Sequence, residues 1–332
     1  MKLQKHSLSS VNLGIVGATG LVGQEFLKLL DERKFKLNEL FLFASDNSNG
    51  KKLKFRDNIF HVLPFKENLF SKIDIAFFSA GADMDKVLVP KAVKHGTICI
   101  DNSSAFRMVR NIPLIVPEIN FKDIKKNDKI IANPNCSTIQ LVLVLDILRS
   151  LSKIVSVDIS TYQAVSGAGR EFLEMYVSQS KKKKIDSDPQ FYENIIHSIG
   201  TIYDSGYCEE EMKIVNETRK ILKDSKIMIS PTTMRVPLSR VHTESVAVEF
   251  QDAISISRVR NIFEKNNNDV ILIDEMDSNK AENSNITFVS RLRMDIFNRK
   301  KFLMIITADN LRVGAALNGI RIAERIVNEK NN

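Results

Sequence analysis

Apolar residues first gather at positions 11–16, a compact run that predicts a strand. A glycine-rich turn follows at 17–23. Beyond it Leu21, Phe26, Leu27, Leu29 and Leu30 recur at helical spacing and predict a helix to about residue 33. Apolar runs at 40–44, 73–79, 97–101 and 129–132 predict further strands, with a helix between the second and third of these reaching about residue 94. The segment 139–151 is almost wholly apolar and holds no Gly or Pro, as a buried helix would. Strands alternating with helices of this length predict a Rossmann-type, doubly wound and mostly parallel sheet.

The pattern then changes. Val155, Val157 and Ile159 alternate with Ser156, Asp158 and Ser160, a period-two strand that runs on to Gln163. Segments 227–236, 241–250, 286–294 and 302–307 are also strand-like, and 209–223 and 255–266 are helical. Several strands without regular helical crossovers predict a second, α+β domain on a largely antiparallel sheet. A last amphipathic helix begins near 313. We expect a dinucleotide-binding domain over 1–134, joined by a returning C-terminal helix at 312–330, and a catalytic and dimerisation domain over 135–311.

Composition narrows the possibilities. The 332 residues are 43% hydrophobic and 27% charged, an ordinary globular balance. No apolar run approaches the ~20 residues that span a bilayer. The N-terminus shows no signal-type apolar core, so a cytoplasmic location is expected. Three widely spaced cysteines, Cys99, Cys136 and Cys208, argue against a disulfide framework or a zinc site. The net charge of +8 comes from scattered lysines; the one dense run, 181–184, lies beside Asp186, Asp188 and Pro189 and reads as a solvated loop. Without aromatic interleaving or a groove-reading motif, nucleic-acid binding is not indicated. An anionic small substrate uses positive charge equally well.

Two stretches carry chemistry. In the first, Gly17, Ala18, Thr19, Gly20, Leu21, Val22 and Gly23 link strand to helix. Glycines there allow a tight turn and let a pyrophosphate approach the helix N-terminus. In the second, Asn133, Pro134 and Asn135 mark a strand-to-helix turn, with Ser137 and Thr138 as capping candidates. Cys136 then falls at or just before a helix N-terminus, where the dipole favours the nucleophilic thiolate. A buried structural cysteine is the plain alternative. Ligands of such sheets bind beyond the carboxyl ends of the strands. The Gly17 turn, Ser45, Ser79, Ala80, Gly81, Arg107 and Cys136 are all expected on that edge.

Several motifs occur in order: 17–23; 101–107, ending at Arg107; 116–120; 133–140 around Cys136; 160–169 with Gln163, Ser166 and Gly167; 210–213; 235–237; and 242–245. With these the chain resembles the bacterial aspartate-semialdehyde dehydrogenases over nearly its whole length. The resemblance implies NADP-dependent interconversion of aspartyl 4-phosphate and aspartate 4-semialdehyde with inorganic phosphate, a step toward lysine, methionine and threonine. It also implies a homodimer, sometimes paired into tetramers.

By resemblance Cys136 is the nucleophile, His242 the general acid/base and Gln163 the residue that orients substrate. Arg235 holds the substrate carboxylate, Glu210 lies near its amine, and Arg107, Asn135 and Lys213 bind phosphate. Cofactor contacts fall to the 17–23 turn, Ser45, Ser48, Ser79, Ala80, Gly81, Ser166, Gly167 and, in the last helix, Asn318. The sequence departs from the family at Asn47, where an arginine often holds the 2′-phosphate, which leaves NAD use open. It also departs in the stretch 181–206, which is shorter than usual. Two other readings compete. N-acetyl-glutamyl-phosphate reductases share the two-domain plan, but their cysteine turn has glycine where this chain has Asn135. A non-catalytic NADP-binding protein of the same fold would have no need of Cys136 or His242.

Overall fold

A computed structural model describes residues 10–182, 188–265 and 269–331. The chain divides into two compact units: the described residues up to Pro134 together with those from Ala315, and Asn135–Gly314. Among the described residues no helix is long and apolar enough to cross a membrane.

The first unit opens with β1 (Val11–Val16), α1 (Leu21–Glu32) and β2 (Leu37–Ala44). Then come β3 (Lys52–Phe55), β4 (Asn58–His61), β5 (Leu63–Pro64), β6 (Ile75–Phe78), α2 (Ala82–Lys94), β7 (Ile98–Asp101), α3 (Pro117–Asn120) and β8 (Ile130–Ala132). The sheet order is β5-β2-β1-β6-β7-β8, and every neighbouring pair is parallel. From β1 the chain goes to one side for β2 and to the other for β6, so the switch in strand order lies at the carboxyl end of β1. Open parallel sheets bind ligands at such a switch. The predicted strands are present. The β3–β4 hairpin was not foreseen, although Leu53 and Phe55 alternate with Lys52 and Lys54. An aromatic core holds the unit: Phe26 stacks on Phe77 at 4.3 Å between centroids, and Phe43 on Phe70 at 5.2 Å.

The second unit contains α4 (Cys136–Arg149), β9 (Ile154–Gln163), α5 (Arg170–Lys182), α6 (Glu209–Leu222), β10 (Met228–Arg235), β11 (His242–Phe250), α7 (Ile256–Lys265), β12 (Val270–Leu272), β13 (Thr287–Met294) and β14 (Lys301–Ala308). Its sheet runs β10-β9-β11-β14-β13-β12. The three central pairings are antiparallel, but both edge pairings, β10 with β9 and β12 with β13, are parallel. The sheet is therefore largely antiparallel through its centre, as expected, and mixed because a parallel strand closes each edge. The cause for β10 is its connection: α5 and α6 intervene after β9, and a helical crossover returns a strand parallel. Lys181 and Lys182 end α5 instead of lying in a loop, while Lys183, Lys184 and Asp186 fall outside the described residues.

After β14, a π-helical turn at Arg312–Ala316 precedes α8 (Leu317–Asn331). The closing helix thus begins as a wider turn than its apolar spacing implied. In the first unit α8 packs on α1, where Arg33 forks onto Glu324 through contacts of 2.8 and 2.6 Å.

Candidate active site

In the second unit, helix α4 begins at Cys136, and its cap is Asn135, whose Oδ1 accepts from the N–H groups of Ser137 and Thr138. Ser137 and Thr138, the expected capping residues, lie inside the helix. Asparagine caps well because its side-chain oxygen reaches back to amides that lack intrahelical partners. The Asn135 N–H itself donates to Glu217 Oε2 at 2.6 Å, which fixes the chain's entry into the helix. Cys136 is half-buried, whereas Cys99 and Cys208 are buried. Burial and the Asp101 charge push the Cys99 thiol up, away from reactivity. The π turn runs against Cys136: a Cβ on Gly314 would stand 2.8 Å from the Cys136 Cβ.

The strand register lines up the remaining groups. Arg235 on β10 pairs with Gln163 on β9, and Gln163 with His242 on β11. Side chains on one face of a sheet recur every second residue, so the next row on that face is Thr233, Thr161 and Glu244. Helices α4 and α6 cover the face. Glu210 of α6 ties the pieces together. Its Oε1 accepts from Asn135 Nδ2 at 2.8 Å and Gln163 Nε2 at 3.2 Å, and Lys213 Nζ lies 3.5 Å from Oε2. Lys213 also pairs with Glu209 at 2.8 Å. Arg235 donates to Ala164 O at 2.8 Å and reaches Gln163 Oε1 at 3.5 Å. Gly167 abuts both side chains: a Cβ there would stand 2.8 Å from Arg235 Nη1 and 3.1 Å from His242 Nε2. Any larger residue would displace one of them.

His242 is fully buried. Burial first, and then the Arg235 charge, push its pKa down to about 3, so the ring is neutral at any working pH. Its Nδ1 accepts the Ala164 N–H at 3.1 Å. A neutral imidazole that accepts at Nδ1 carries its proton on Nε2. Nε2 is buried and has no hydrogen-bond partner among the described residues. One row deeper, both carboxyl oxygens of Glu244 and both amide atoms of Gln140 are buried, with no hydrogen-bond partner among the described residues beyond each other's side chain. Burial pushes the Glu244 acid well above its ordinary range, with Gln140 alone drawing it back.

The first unit holds the other candidates. Gly17 adopts φ +87°, and a Cβ there would fall 2.5 Å from Ser79 O; one on Gly23 would fall 2.2 Å from Gly17 O. The turn is closed tightly, and Gly20, the N-cap of α1, supplies no side-chain hydrogen bond, so the helix N-terminus could receive an anion. Ser79, Ala80 and Gly81 follow β6 at the same sheet edge, and Ser45 follows β2. The buried Ser48 hydroxyl lies 3.4 Å from Thr19 Oγ1. Arg107 is anchored by Asn133 O at 2.9 Å and Asn102 O at 2.8 Å. Asn318 gives its amide hydrogens to Asn133 Oδ1 and Ile115 O. Arg107 and Asn318 therefore hang on one residue, Asn133. Glu217, Gly314 and Asn310 were not singled out from the sequence, and Gln140 entered only as the last residue of the 133–140 motif. Only Gly314 had a local signal, in its glycine–alanine–alanine setting.

Comparison with known proteins gives a consistent result. Residues 12–127 match the family model "Semialdehyde dehydrogenase, NAD binding domain" and residues 145–313 match "Semialdehyde dehydrogenase, dimerisation domain". The chain is 43% identical over 334 residues to an aspartate-semialdehyde dehydrogenase of Aquifex aeolicus, covering 96% of this chain and 98% of that protein. The crystal structure of aspartate semialdehyde dehydrogenase II of Vibrio cholerae complexed with ASA superposes with a TM-score of 0.92 at 37% identity, covering 97% and 99% of the two chains. An aspartate semialdehyde dehydrogenase of Candida albicans, solved with NADP, gives 0.75 at 26% identity, covering 97% and 99%.

Proposed function

The chain belongs to the aspartate-semialdehyde dehydrogenase family, and we propose that it converts L-aspartyl 4-phosphate to L-aspartate 4-semialdehyde through a thioester on Cys136. The observation that carries this reading is the row Arg235–Gln163–His242, linked through Glu210 to Asn135 beside Cys136. The substrate bears a carboxylate, an ammonium and a phosphate. Arg235 suits the carboxylate because a planar guanidinium grips two oxygens at once. Glu210 suits the ammonium, and Arg107, Asn135 and Lys213 the phosphate. An N-acetylated substrate would have no use for Glu210, and the glycine of the related reductases could neither cap α4 nor bond that carboxylate.

The Cys136 thiolate attacks the acyl carbon, and the C–O bond to phosphate breaks, leaving an aspartyl thioester. A nicotinamide dinucleotide, when bound at the 17–23 turn, would supply the hydride needed to reduce this thioester. The resulting thiohemiacetal alkoxide collapses, expels the Cys136 thiolate and releases the aldehyde. No net proton is required from His242 in either step. Its neutral ring presents Nε2–H, which suits it to donate to the developing oxyanion as well as to the general acid/base role that the family resemblance gives it.

The family binds a nicotinamide dinucleotide, and the uncapped α1 with its tight glycine turn fits the pyrophosphate. We assign NADP in preference to NAD because Ser45, Asn47 and Ser48 follow β2 while Asp46, the lone acid there, is exposed. The outward face of the mixed sheet, with Tyr162 and Met228 exposed at its β9–β10 edge, supports a homodimer through the second unit. The central test is intact-mass analysis after mixing enzyme, aspartate semialdehyde and NADP without phosphate. One aspartyl group should accumulate on Cys136, and its absence in a turnover-competent preparation would rule out the thioester.

A further inference from the structure

Val241, immediately before His242, sits at φ +78° and is buried. A β-branched side chain in the left-handed region clashes with its own backbone, so the surroundings must impose this conformation. Two consecutive side chains at the end of β14 do so. Asp309 pairs with Arg240 Nε at 2.7 Å, and Asn310 Oδ1 accepts the Val241 N–H at 2.9 Å. Asp309 is itself held by the N–H groups of Leu311, Arg312 and Asn283. Asn310 is buried and also donates from Nδ2 to Ser166 Oγ at 3.0 Å. Ser166 belongs to the turn that carries Gly167, against which the His242 ring packs. The same turn is laced to the loop before Val241 by Val165 N–H to Leu238 O and Ser166 N–H to Ser239 O.

From these contacts we propose that Asn310 is a positioning residue: it holds Val241 in its strained conformation and so aims the His242 imidazole at the reacting carbonyl. The direction of β11 at its first residue follows from the Val241 dihedrals. A relaxed Val241 would swing the His242 Cα–Cβ vector and break the fit between Ala164 N–H, Nδ1 and Gly167. Because Asn310 grips Val241 and Ser166 together, ring and turn move as one piece. The inference rests on the role given to His242 above.

The test compares the wild type, Asn310→Ala and the double variant Asn310→Ala/Val241→Gly. Readouts are kcat, the KM for aspartate semialdehyde and melting temperature. Wild-type turnover of aspartate semialdehyde is the control on the underlying reading; without it that reading fails, whatever the variants do. Asn310→Ala should lower kcat by about a hundredfold, the scale of a misplaced catalytic group, with KM within about twofold. Glycine takes φ +78° without a clash and has no need of the clamp, so the double variant should recover at least about tenfold of that loss. Asn310→Ser, whose hydroxyl is too short to span both partners, replaces the alanine variant if that one does not fold. A double variant no faster than the single one, or a single variant with wild-type kcat, overturns the proposal.

Discussion

Gly314 backs directly onto Cys136. A Cβ added to the glycine would meet the cysteine Cβ at 2.8 Å and its Cα at 3.1 Å. Both contacts involve atoms that cannot swing aside, so Gly314→Ala must move either the start of α4 or the π turn. We expect kcat to fall by roughly tenfold to a hundredfold, since small displacements of a nucleophile are costly. The alkylation rate of Cys136 should change in parallel. Unchanged kcat and alkylation would show that the turn yields freely.

Glu244 and Gln140 offer four buried polar atoms with no other hydrogen-bond partners. A carboxylic acid complements a primary amide at both positions, whereas a carboxylate leaves the amide oxygen unmatched. Glu244→Gln should therefore keep near-wild-type kcat and melting temperature. Glu244→Leu leaves Gln140 unmatched in the core and should cost about 1–3 kcal/mol in urea denaturation. A Glu244→Gln enzyme that folds but is inactive would mean the residue works as an anion.

Asp85 and Asp101 are both fully buried. Burial, followed by the Asp101 charge, raises the Asp85 acid to about 8. An acid whose pKa is raised by folding contributes stability that is complete below its unfolded value, near 3.8, and is lost as pH rises through about 8. Wild-type stability should thus decline from pH 5 to pH 9, and Asp85→Asn should flatten the decline. Urea midpoints at pH 5, 7 and 9 measure this. Parallel profiles for the two proteins would remove Asp85 as the cause.

On the proposed reading Asn47, exposed in the turn after β2, is the position to probe for cofactor choice. We expect kcat/KM to favour NADP over NAD in the wild type. Asn47→Arg should lower the KM for NADP by roughly tenfold through a charge-assisted contact to the 2′-phosphate, with little effect on NAD. Equal gains for both dinucleotides would place residue 47 away from that phosphate.

Local pattern was enough for the strands and helices around the glycine turn, because apolar spacing at 2 or 3.6 residues reports which face of an element is buried. The turn before Cys136 was equally legible, and ordered motifs pointed to Gln163, Glu210, Arg235 and His242. Periodicity carries no information on which distant strand lies alongside. The register that sets Arg235, Gln163 and His242 in one row joins residues up to 79 positions apart, and it belongs to the folded sheet alone. The parallel edge strands escaped the sequence for the same reason.

What the sequence determined by itself was the chemistry available: a cysteine at a helix start, an imidazole, paired charges and a phosphate-binding turn. Tertiary structure decided how those groups are used. Burial makes His242 neutral, and the Ala164 N–H puts its proton on Nε2. Asn135, rather than Ser137 or Thr138, caps the Cys136 helix because its oxygen alone meets the free amides. Protonation, tautomer and cap are each set by neighbours brought in from elsewhere in the chain, and a linear reading has no access to them.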